Sequence, residues 1–150
     1  MRSVVLIFLV LFATVVAQAQ QGPDDPIEML TSYYAAINAR DYRRAYGLWE
    51  SPQTSYERFV AGFADTDRVR LLVEPPVRSE GAAGSIYADF TAVVIATTRA
   101  GSERVFAGCY TLRKSNVRDT GWHIYRANIS AMPVGARLSR MLSQGCRNAQ

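Results

Sequence analysis

The sequence contains few cysteine, histidine and lysine residues. Two cysteines, one histidine and one lysine occur among 150 residues. A structural zinc site usually takes four cysteine or histidine ligands, so these residues cannot complete one, and we expect no metal and no cofactor. Charged residues make up 20% of the chain and hydrophobic residues 49%, a balance that excludes intrinsic disorder and fibrous structure. The length predicts one domain.

No large patch of one charge is evident either. Seventeen basic residues face 13 acidic ones, for a formal net charge of +4. The arginines are scattered apart from the pair Arg43 and Arg44, and no basic helix face alternates with aromatic residues. Proteins that bind nucleic acid concentrate positive charge on one surface, so this pattern argues against nucleic acid as a partner.

The clearest signal lies at the N-terminus. Arg2 precedes an apolar run of 13 residues over 4–16, and Ala17-Gln18-Ala19 places small residues where a signal peptidase reads them. This order is typical of a secretory signal peptide. The alternative is a membrane anchor, but a span needs about 20 apolar residues. We predict a signal peptide over 1–19, cleavage near Ala19, and a protein in the bacterial periplasm or secreted, without stable membrane insertion.

Export changes the expectation for the two cysteines. In an oxidising compartment Cys109 and Cys146 are expected to pair, closing 36 intervening residues. The chain-entropy model gives such a bridge about 3–4 kcal/mol of stabilisation. The alternative is a thiol active site, which needs a nearby base, and His123 is the only histidine. We predict a disulfide that ties down a C-terminal tail over 131–150.

The first half of the chain predicts three helices. A flexible polar leader over 20–24 precedes Asp25, which can cap a helix that begins at Pro26. Apolar residues at helical spacing carry this helix to about residues 38–40. A second helix is predicted over 41–50, and a capping box over 54–57 opens a third. The predicted core residues on these helices are Ile37, Trp49, Phe59 and Phe63.

Strand patterns follow. Alternating apolar residues begin a strand at Val69, and residues 80–84 have the composition of a loop. Strand-like runs over 85–98, 103–114 and 121–130 are separated by short polar turns, which predicts an antiparallel meander. Helices followed by strands predict an α+β domain over 25–130, with N-terminal helices packed on a curved antiparallel sheet.

Two segments carry a family resemblance. In the first, Tyr33–Tyr46, a helix with polar residues at its end is followed by a short helix at Asp41; the second is the strand Gly121-Trp122-His123-Ile124. Over about residues 25–130 the chain resembles the nuclear transport factor 2-like superfamily, including its SnoaL-like and ketosteroid-isomerase-like branches. The resemblance implies a conical half-barrel with a pocket between sheet and helices. That family holds isomerases, dehydratases, hydrolases and non-catalytic domains, and the sequence matches none of its catalytic motifs.

Strand register decides which side chains face this pocket. A two-residue turn at 100–101 would place Asp89 opposite Leu112, and the next turn would place Leu112 opposite His123. The concave face would then carry the polar residues Asp89, Thr91, Tyr110, His123 and Tyr125, and the convex face would carry Cys109, Thr111, Arg113, Arg126 and Asn128. A carboxylate near an imidazole can form a base with its orienting partner, so Asp89 and His123 are the candidate catalytic residues of an enzyme.

Tyrosine is abundant, with eight residues alongside two tryptophans. Buried tyrosine hydroxyls need partners, so we predict a ligand pocket lined by Tyr34, Trp49, Phe63, Tyr110 and Tyr125. The sequence thus predicts an exported, non-catalytic module that binds a small apolar ligand or a protein partner in or near this pocket. The alternatives are a small lyase or isomerase that uses Asp89 and His123, and a periplasmic inhibitor or immunity-type protein. Because dimers are common in the family, a homodimer is also compatible with the resemblance.

Overall fold

The computed structural model describes residues 25–74, 78–118, 120–133, 137, 139 and 146. The predicted signal peptide over 1–19, the leader over 20–24 and most of the tail over 131–150 lie outside these residues. Three helices precede five strands: α1 Pro26–Asn38, α2 Tyr42–Gly47, α3 Tyr56–Gly62, β1 Thr66–Val73, β2 Arg78–Ala82, β3 Ser85–Thr98, β4 Glu103–Ser115 and β5 Trp122–Ala131. The predicted α+β order is confirmed.

Side-chain caps begin all three helices. The Asp25 carboxylate accepts hydrogen bonds from the backbone N–H groups of Ile27 and Glu28, at 2.7 and 3.0 Å. Asp41 and Ser55 cap α2 and α3 in the same way. Each cap supplies an acceptor for N–H groups that lack a partner within the helix, which is why these residues mark the helix starts in the sequence. Among the described helices, none combines the length and apolar character that a bilayer span requires.

The strands form one open antiparallel sheet in the order β1-β3-β4-β5, and β2 also pairs with β3. Strand β1 lies along one half of the 14-residue β3, and β2 along the other half. The prediction of a loop over 80–84 is wrong, because Gly81 and Ala82 belong to β2. The turn needs only Ala83 and Gly84, whose φ angles of 35° and 87° are both positive, as a tight two-residue hairpin requires.

The register of β3 against β4 differs from the prediction by one residue. The backbone N–H of Thr98 donates to the carbonyl of Ser102 at 2.8 Å, so the turn holds three residues rather than two. Gly101, with φ of 83°, supplies the left-handed residue that closes such a loop. Asp89 therefore pairs with Thr111 and not with the residue after it. A shift of one residue moves every side chain to the other face of the sheet.

A second irregularity lies between β4 and β5. The pairing shifts between Thr111 and Leu112, so Leu112 lies opposite Ile124 while His123 lies opposite Arg113. The predicted pairing of Leu112 with His123 is therefore wrong. Such a shift inserts one extra residue into a strand and cannot be read from alternation of apolar and polar residues.

The core lies between the sheet and α1. Buried residues on the helix-facing side of the sheet include Ala88, Phe90, Ala92, Val94, Tyr110, Leu112, Trp122 and Ile124, and they pack against Met29, Leu30, Tyr33, Tyr34 and Ile37 of α1. Of the four predicted core residues, Ile37 is fully buried, whereas Trp49, Phe59 and Phe63 are half-buried at the margin of this cluster. Burial is thus confirmed for Ile37 alone. Trp49 lies beyond the end of α2, and Phe63 is the C-cap of α3.

The outer face of the sheet carries a smaller apolar cluster. Val93, Ile95 and Ala107 are buried there, and Met132 packs against them. On the same face Cys109 forms a disulfide with Cys146, with the two Cα atoms 4.8 Å apart. The predicted pairing of the cysteines is confirmed. The bridge holds the chain near its C-terminus against the side of the sheet that faces away from the helices.

Candidate functional site

A short segment after α2 adds to the edge of the sheet. The backbone N–H of Ile124 donates to the carbonyl of Leu48 at 2.9 Å, and the N–H of Glu50 donates to the carbonyl of Ile124 at 3.1 Å. Trp49 and Ile124 thus form a parallel bridge. Helix α2 ends at Gly47, earlier than the prediction of 41–50, because residues 48–50 pair with β5 instead of continuing the helix.

This segment forms one wall of an open cleft of about 460 Å³. Four described residues at the end of β4, at the start of β5 and between these strands form the opposite wall: Ser115, Arg118, Thr120 and His123. The volume is within the range of small-molecule sites, roughly 300–1,000 Å³. The lining consists mostly of polar residues: Gly47, Trp49, Glu50, Arg113, Ser115, Arg118, Thr120 and His123. The cleft lies beside the junction of helices and sheet, but only one residue of the predicted aromatic pocket, Trp49, lines it.

Two of the charged lining residues neutralise each other. Arg113 and Glu50 form an ion pair, and each side chain is about one-third exposed. The guanidinium of Arg113 also donates through Nε to the Ser85 hydroxyl at 3.0 Å and lies 5.9 Å from the centroid of the Tyr87 ring. With so many contacts inside the protein, Arg113 fastens the segment 48–50 to the sheet. Glu50 is held by the same contacts.

The opposite wall presents hydrogen-bond donors. The Ser115 hydroxyl oxygen accepts from the backbone N–H groups of Val117 and Arg118, at 3.3 and 3.0 Å. Its own hydrogen is therefore available to an acceptor in the cleft. In the described part of the chain, the exposed guanidinium of Arg118 has no hydrogen bond or ion pair. The Thr120 hydroxyl lies in the same lining.

His123 completes this wall. Its Nδ1 lies 3.3 Å from the carbonyl oxygen of Gly121. A carbonyl can only accept, so Nδ1 carries the proton in this contact and Nε2 is an acceptor in the neutral ring. His123 belongs to the cleft at the sheet edge and not to the concave face, where the sequence predicts it.

The candidate catalytic pair is not brought together. Asp89 is exposed on the outer face of the sheet, and its carboxylate accepts a hydrogen bond from the Thr111 hydroxyl at 2.6 Å. His123 also lies on that side but opposite Arg113 in the next strand pair. Asp89 is not part of the cleft lining. Placing both residues on the concave face is wrong, because the three-residue turn and the register shift reverse the predicted faces.

Tyr34 and Tyr110, predicted to line a pocket, are instead joined in the core. Their hydroxyl oxygens lie 2.5 Å apart, and both side chains are buried. Burial raises the pKa of Tyr110 to about 12, while its bond to Tyr34 has the opposite, smaller effect. Burial, followed by the proximity of Tyr110 and Tyr33, raises the pKa of Tyr34 well above its usual value. Both phenols are therefore neutral at physiological pH and serve each other as hydrogen-bond partners.

The remaining predicted pocket residues lie in separate places. Phe63 stacks on Tyr42 with ring centroids 6.0 Å apart, within the cluster formed by the helices. Tyr125 is 43% exposed and contacts Tyr87. Tyr125 thus lies on the outer face, remote from the helices. The aromatic residues do not line one common pocket.

Trp49 connects the core to the cleft. Its ring meets Tyr33 edge-on at 6.3 Å between centroids. The indole Nε1–H is buried and has no hydrogen-bond partner. Burial raises the pKa of the Tyr33 hydroxyl, and the nearby indole N–H of Trp49 has the opposite, smaller effect. The contact between these two groups lacks the geometry of a hydrogen bond.

Solved structures share this path of the chain. A nuclear transport factor 2-like superfamily protein from Salmonella enterica serovar Typhimurium has 18% identity and a TM-score of 0.52, covering 73% of this chain and 92% of that one. A ketosteroid isomerase-like protein from Erwinia carotovora atroseptica has 15% identity and a TM-score of 0.52, covering 71% of this chain and 93% of that one. A candidate scytalone dehydratase from Novosphingobium aromaticivorans has 9% identity and a TM-score of 0.53, covering 74% of this chain and 91% of that one. The chain has the nuclear transport factor 2-like fold.

The resemblance predicted from Tyr33–Tyr46 and the Gly121-Trp122 strand is thereby confirmed as a similarity of fold. No protein-family model matches the sequence, and no curated protein sequence matches it. The nuclear transport factor 2-like fold is shared by ligand-binding domains and enzymes, so the fold alone does not assign an activity.

Sequence reasoning missed most of the polar residues that line the cleft in this nuclear transport factor 2-like chain. Glu50 is the last residue of the helix predicted over 41–50, and Ser115, Arg118 and Thr120 lie in what reads as an ordinary polar turn. The one usable signal in the sequence is Pro52, because the residue before a proline favours an extended backbone, which can join a neighbouring strand.

Proposed function

We propose that this protein is an exported, non-catalytic module that binds a small ligand in the cleft between residues 48–50 and the connection from β4 to β5. One observation carries the proposal. The cleft has the size of a small-ligand site, and among its described charged residues one arginine and one glutamate form an ion pair while a second arginine remains free to donate hydrogen bonds. Arg113 and Glu50 hold each other, whereas Arg118 has no partner among the described residues. Free donors beside a fixed scaffold suit recognition of a ligand.

The same division of charges supports binding over catalysis. Glu50 is the one carboxylate among the described lining residues, and its ion pair with Arg113 leaves it poorly placed to act as a base beside His123. General acid–base chemistry needs a titrating group within reach of the substrate and a partner that tunes it. Asp89, the other candidate, is bonded to Thr111 outside the cleft.

The lining also refines the expected ligand. The sequence predicts an apolar ligand surrounded by aromatic rings, whereas the cleft offers one aromatic wall, Trp49, and several donors. A ligand with both an apolar portion and a polar group suits this lining best.

Two features support export. The N-terminus has the pattern of a cleaved signal peptide. The Cys109–Cys146 disulfide is typical of oxidising compartments. N-terminal sequencing of secreted or periplasmic protein should begin at Gln20. Recovery of the chain in membranes with Met1 intact would contradict this part of the proposal.

Native mass spectrometry of protein purified from its own periplasm tests the binding function. The wild type should carry a small adduct. Gly47 lines the cleft and has no atom within 4 Å of a Cβ built on it, so Gly47→Leu should fill the cleft without strain and remove the adduct. Gly62 has equal space but lies outside the cleft, so Gly62→Leu is the matched control.

Asp89→Asn should also retain the adduct, because Asp89 lies on the outer face. A wild type without adduct, or an adduct that survives Gly47→Leu, would contradict binding at this cleft. Turnover of a supplied substrate that is abolished by His123→Ala would favour the enzyme.

A further inference from the structure

We infer that the ligand of this cleft is a small organic anion, with a carboxylate bound at the wall formed by Ser115, Arg118 and Thr120 and an apolar portion against Trp49. The inference rests on the proposed function of the same cleft and names the chemical class of its ligand.

The first step of the argument is charge. The ion pair between Arg113 and Glu50 removes one charge of each sign from the lining. Arg118 then carries the one uncompensated charge among the described lining residues. The cleft as built therefore favours a negatively charged ligand over a neutral or cationic one.

The second step is the type of hydrogen-bonding group. The Ser115 oxygen is occupied by two backbone N–H groups, so its free capacity is as a donor. Arg118 has only donors, arranged as a planar fork that matches both oxygens of a carboxylate. A wall of donors with so few acceptors is suited to an anion.

The third step is rigidity. The backbone N–H of Arg118 is held by the Ser115 hydroxyl at 3.0 Å, which fixes the turn that carries the arginine. On the other wall, Trp49 is fixed by the bridge to Ile124. Because both walls are tied to strands β4 and β5, little ordering of the backbone is needed when a ligand enters, and the Arg118 side chain is the part that binding must order.

The fourth step concerns the rest of the ligand. Trp49 is the one aromatic residue among the described lining residues and is half-buried, so a face or edge of the indole remains exposed to the cleft. A ring or short apolar chain placed there would bury apolar surface, while the carboxylate reaches the donors on the opposite wall. A purely inorganic anion would leave this aromatic wall unused.

Benzoate and benzamide test the inference, because they share a ring and differ in charge. Calorimetric titration should give benzoate an affinity about tenfold or more above that of benzamide, as expected for a charged hydrogen-bonded contact. The indole N–H resonance of Trp49 should shift with benzoate. Arg118→Gln should remove the preference for benzoate, and Arg118→Lys should retain part of it because the charge remains without the fork.

Arg68→Gln is the matched control. Arg68 is an exposed arginine of β1, and the substitution makes the same change in net charge far from the cleft lining. It should leave both affinities unchanged. Equal affinity for the two probes, a shift with neither probe, or equal losses in the two arginine variants would overturn the inference.

The outcomes separate this inference from the proposed function. If the native adduct is lost in Gly47→Leu but proves to be a neutral molecule, the cleft binds a ligand and the assignment of an anion is wrong. If no adduct is found and benzoate still binds through Arg118, the anion site exists but the proposal of a ligand carried from the periplasm is wrong. If neither occurs, both proposals fail.

Discussion

The side-chain amide of Asn38 forms hydrogen bonds with both the backbone N–H and the backbone carbonyl of Val69, on the edge strand β1. The Val69 N–H donates to Asn38 Oδ1 at 2.7 Å, and Asn38 Nδ2 donates to the Val69 carbonyl at 2.9 Å. Arg40 donates to the carbonyls of Thr66 and Asp67, at 2.8 Å each. The end of α1 thus occupies an edge that would otherwise present unpaired backbone groups to another chain.

Removal of the Asn38 amide should destabilise the protein. Asn38→Ala is expected to lower the free energy of unfolding by about 2 kcal/mol, because two hydrogen bonds of about 1 kcal/mol each are lost. Asn38→Asp keeps the acceptor for the Val69 N–H but sets a carboxylate against the Val69 carbonyl, so it should cost at least as much. Urea unfolding measures both variants. The exposed Asn128→Ala serves as the control, and an equal loss there would contradict the special role of Asn38.

The hydroxyl pair of Tyr34 and Tyr110 should be energetically coupled. Each single substitution by phenylalanine leaves one buried hydroxyl without its partner and should cost about 1 kcal/mol. The double variant should cost less than the sum of the two, and a double-mutant cycle measures the difference. Tyr125→Phe, at an exposed position, should change little. Strict additivity of the two core substitutions would show that the hydroxyls do not interact.

Alkaline pH should destabilise the protein through the same pair. The pKa of Tyr110 is raised from 10.0 to about 12. The unfolded chain therefore loses this proton at a lower pH than the folded protein, and stability contributed by the neutral phenol is lost as the pH rises from about 10 to about 12. Denaturant unfolding across this interval should show a decline that is smaller in Tyr110→Phe. An unchanged slope in that variant would assign the decline to other groups.

Gly108 should tolerate no side chain. A Cβ placed there would overlap the Asn128 carbonyl oxygen and lie 2.7 Å from the Cα of Ile129, because β5 crosses close to β4 at this point. Gly108→Ala should therefore force the two strands apart and cost about 1–3 kcal/mol or more. Gly62→Ala, in α3 with open space around it, should be neutral or stabilising. Thermal melting of the two variants compares them directly, and similar melting temperatures would argue against the close approach.

Loss of the disulfide should lower stability without changing the fold. The bridge joins residues 37 positions apart. Cys146→Ser should reduce the free energy of unfolding by about 3–4 kcal/mol in the chain-entropy model. A reducing agent should lower the melting temperature of the wild type and leave that of the variant unchanged. Insensitivity of the wild type to reduction would contradict a structural bridge.

The helix starts could be predicted because their causes are local. Asp25, Asp41 and Ser55 cap helices with side chains that lie within three residues of the groups they bond. Strands β1, β3, β4 and β5 were likewise recognisable, because apolar alternation is a local pattern, whereas β2 lies partly in residues predicted as a loop. The α+β order and the resemblance of fold follow from these local signals.

Register could not be predicted, because it depends on single residues in turns. Gly101, with φ of 83°, closes a loop of three residues. A loop of two residues would contain the same glycine, so the sequence does not distinguish the two loop lengths. The shift beside Thr111 leaves no mark in the alternation of the strand. These two details moved Asp89 and His123 from the concave face to the outer side of the sheet.

The cleft was beyond local patterns for a different reason. Its described lining residues lie within 47–50, 113–118 and 120–123, and these segments are joined by the pairing of Trp49 with Ile124 and by the Arg113–Glu50 ion pair. None of these segments has an unusual composition by itself. The disulfide is the one contact between distant segments that could be predicted, because the sequence has only two cysteines and they can pair only with each other.

The bridge between Leu48 and Ile124 also has a consequence for the order of folding. It joins residues 76 positions apart in the chain, so the entropy of closing a long loop must be overcome before its hydrogen bonds form. The hairpins of β2, β3 and β4 can form from neighbouring residues without it. During refolding, the walls of the cleft should therefore meet late, after most of the sheet is in place. A ligand that binds there would stabilise the folded protein, and it would slow unfolding more than it would speed folding.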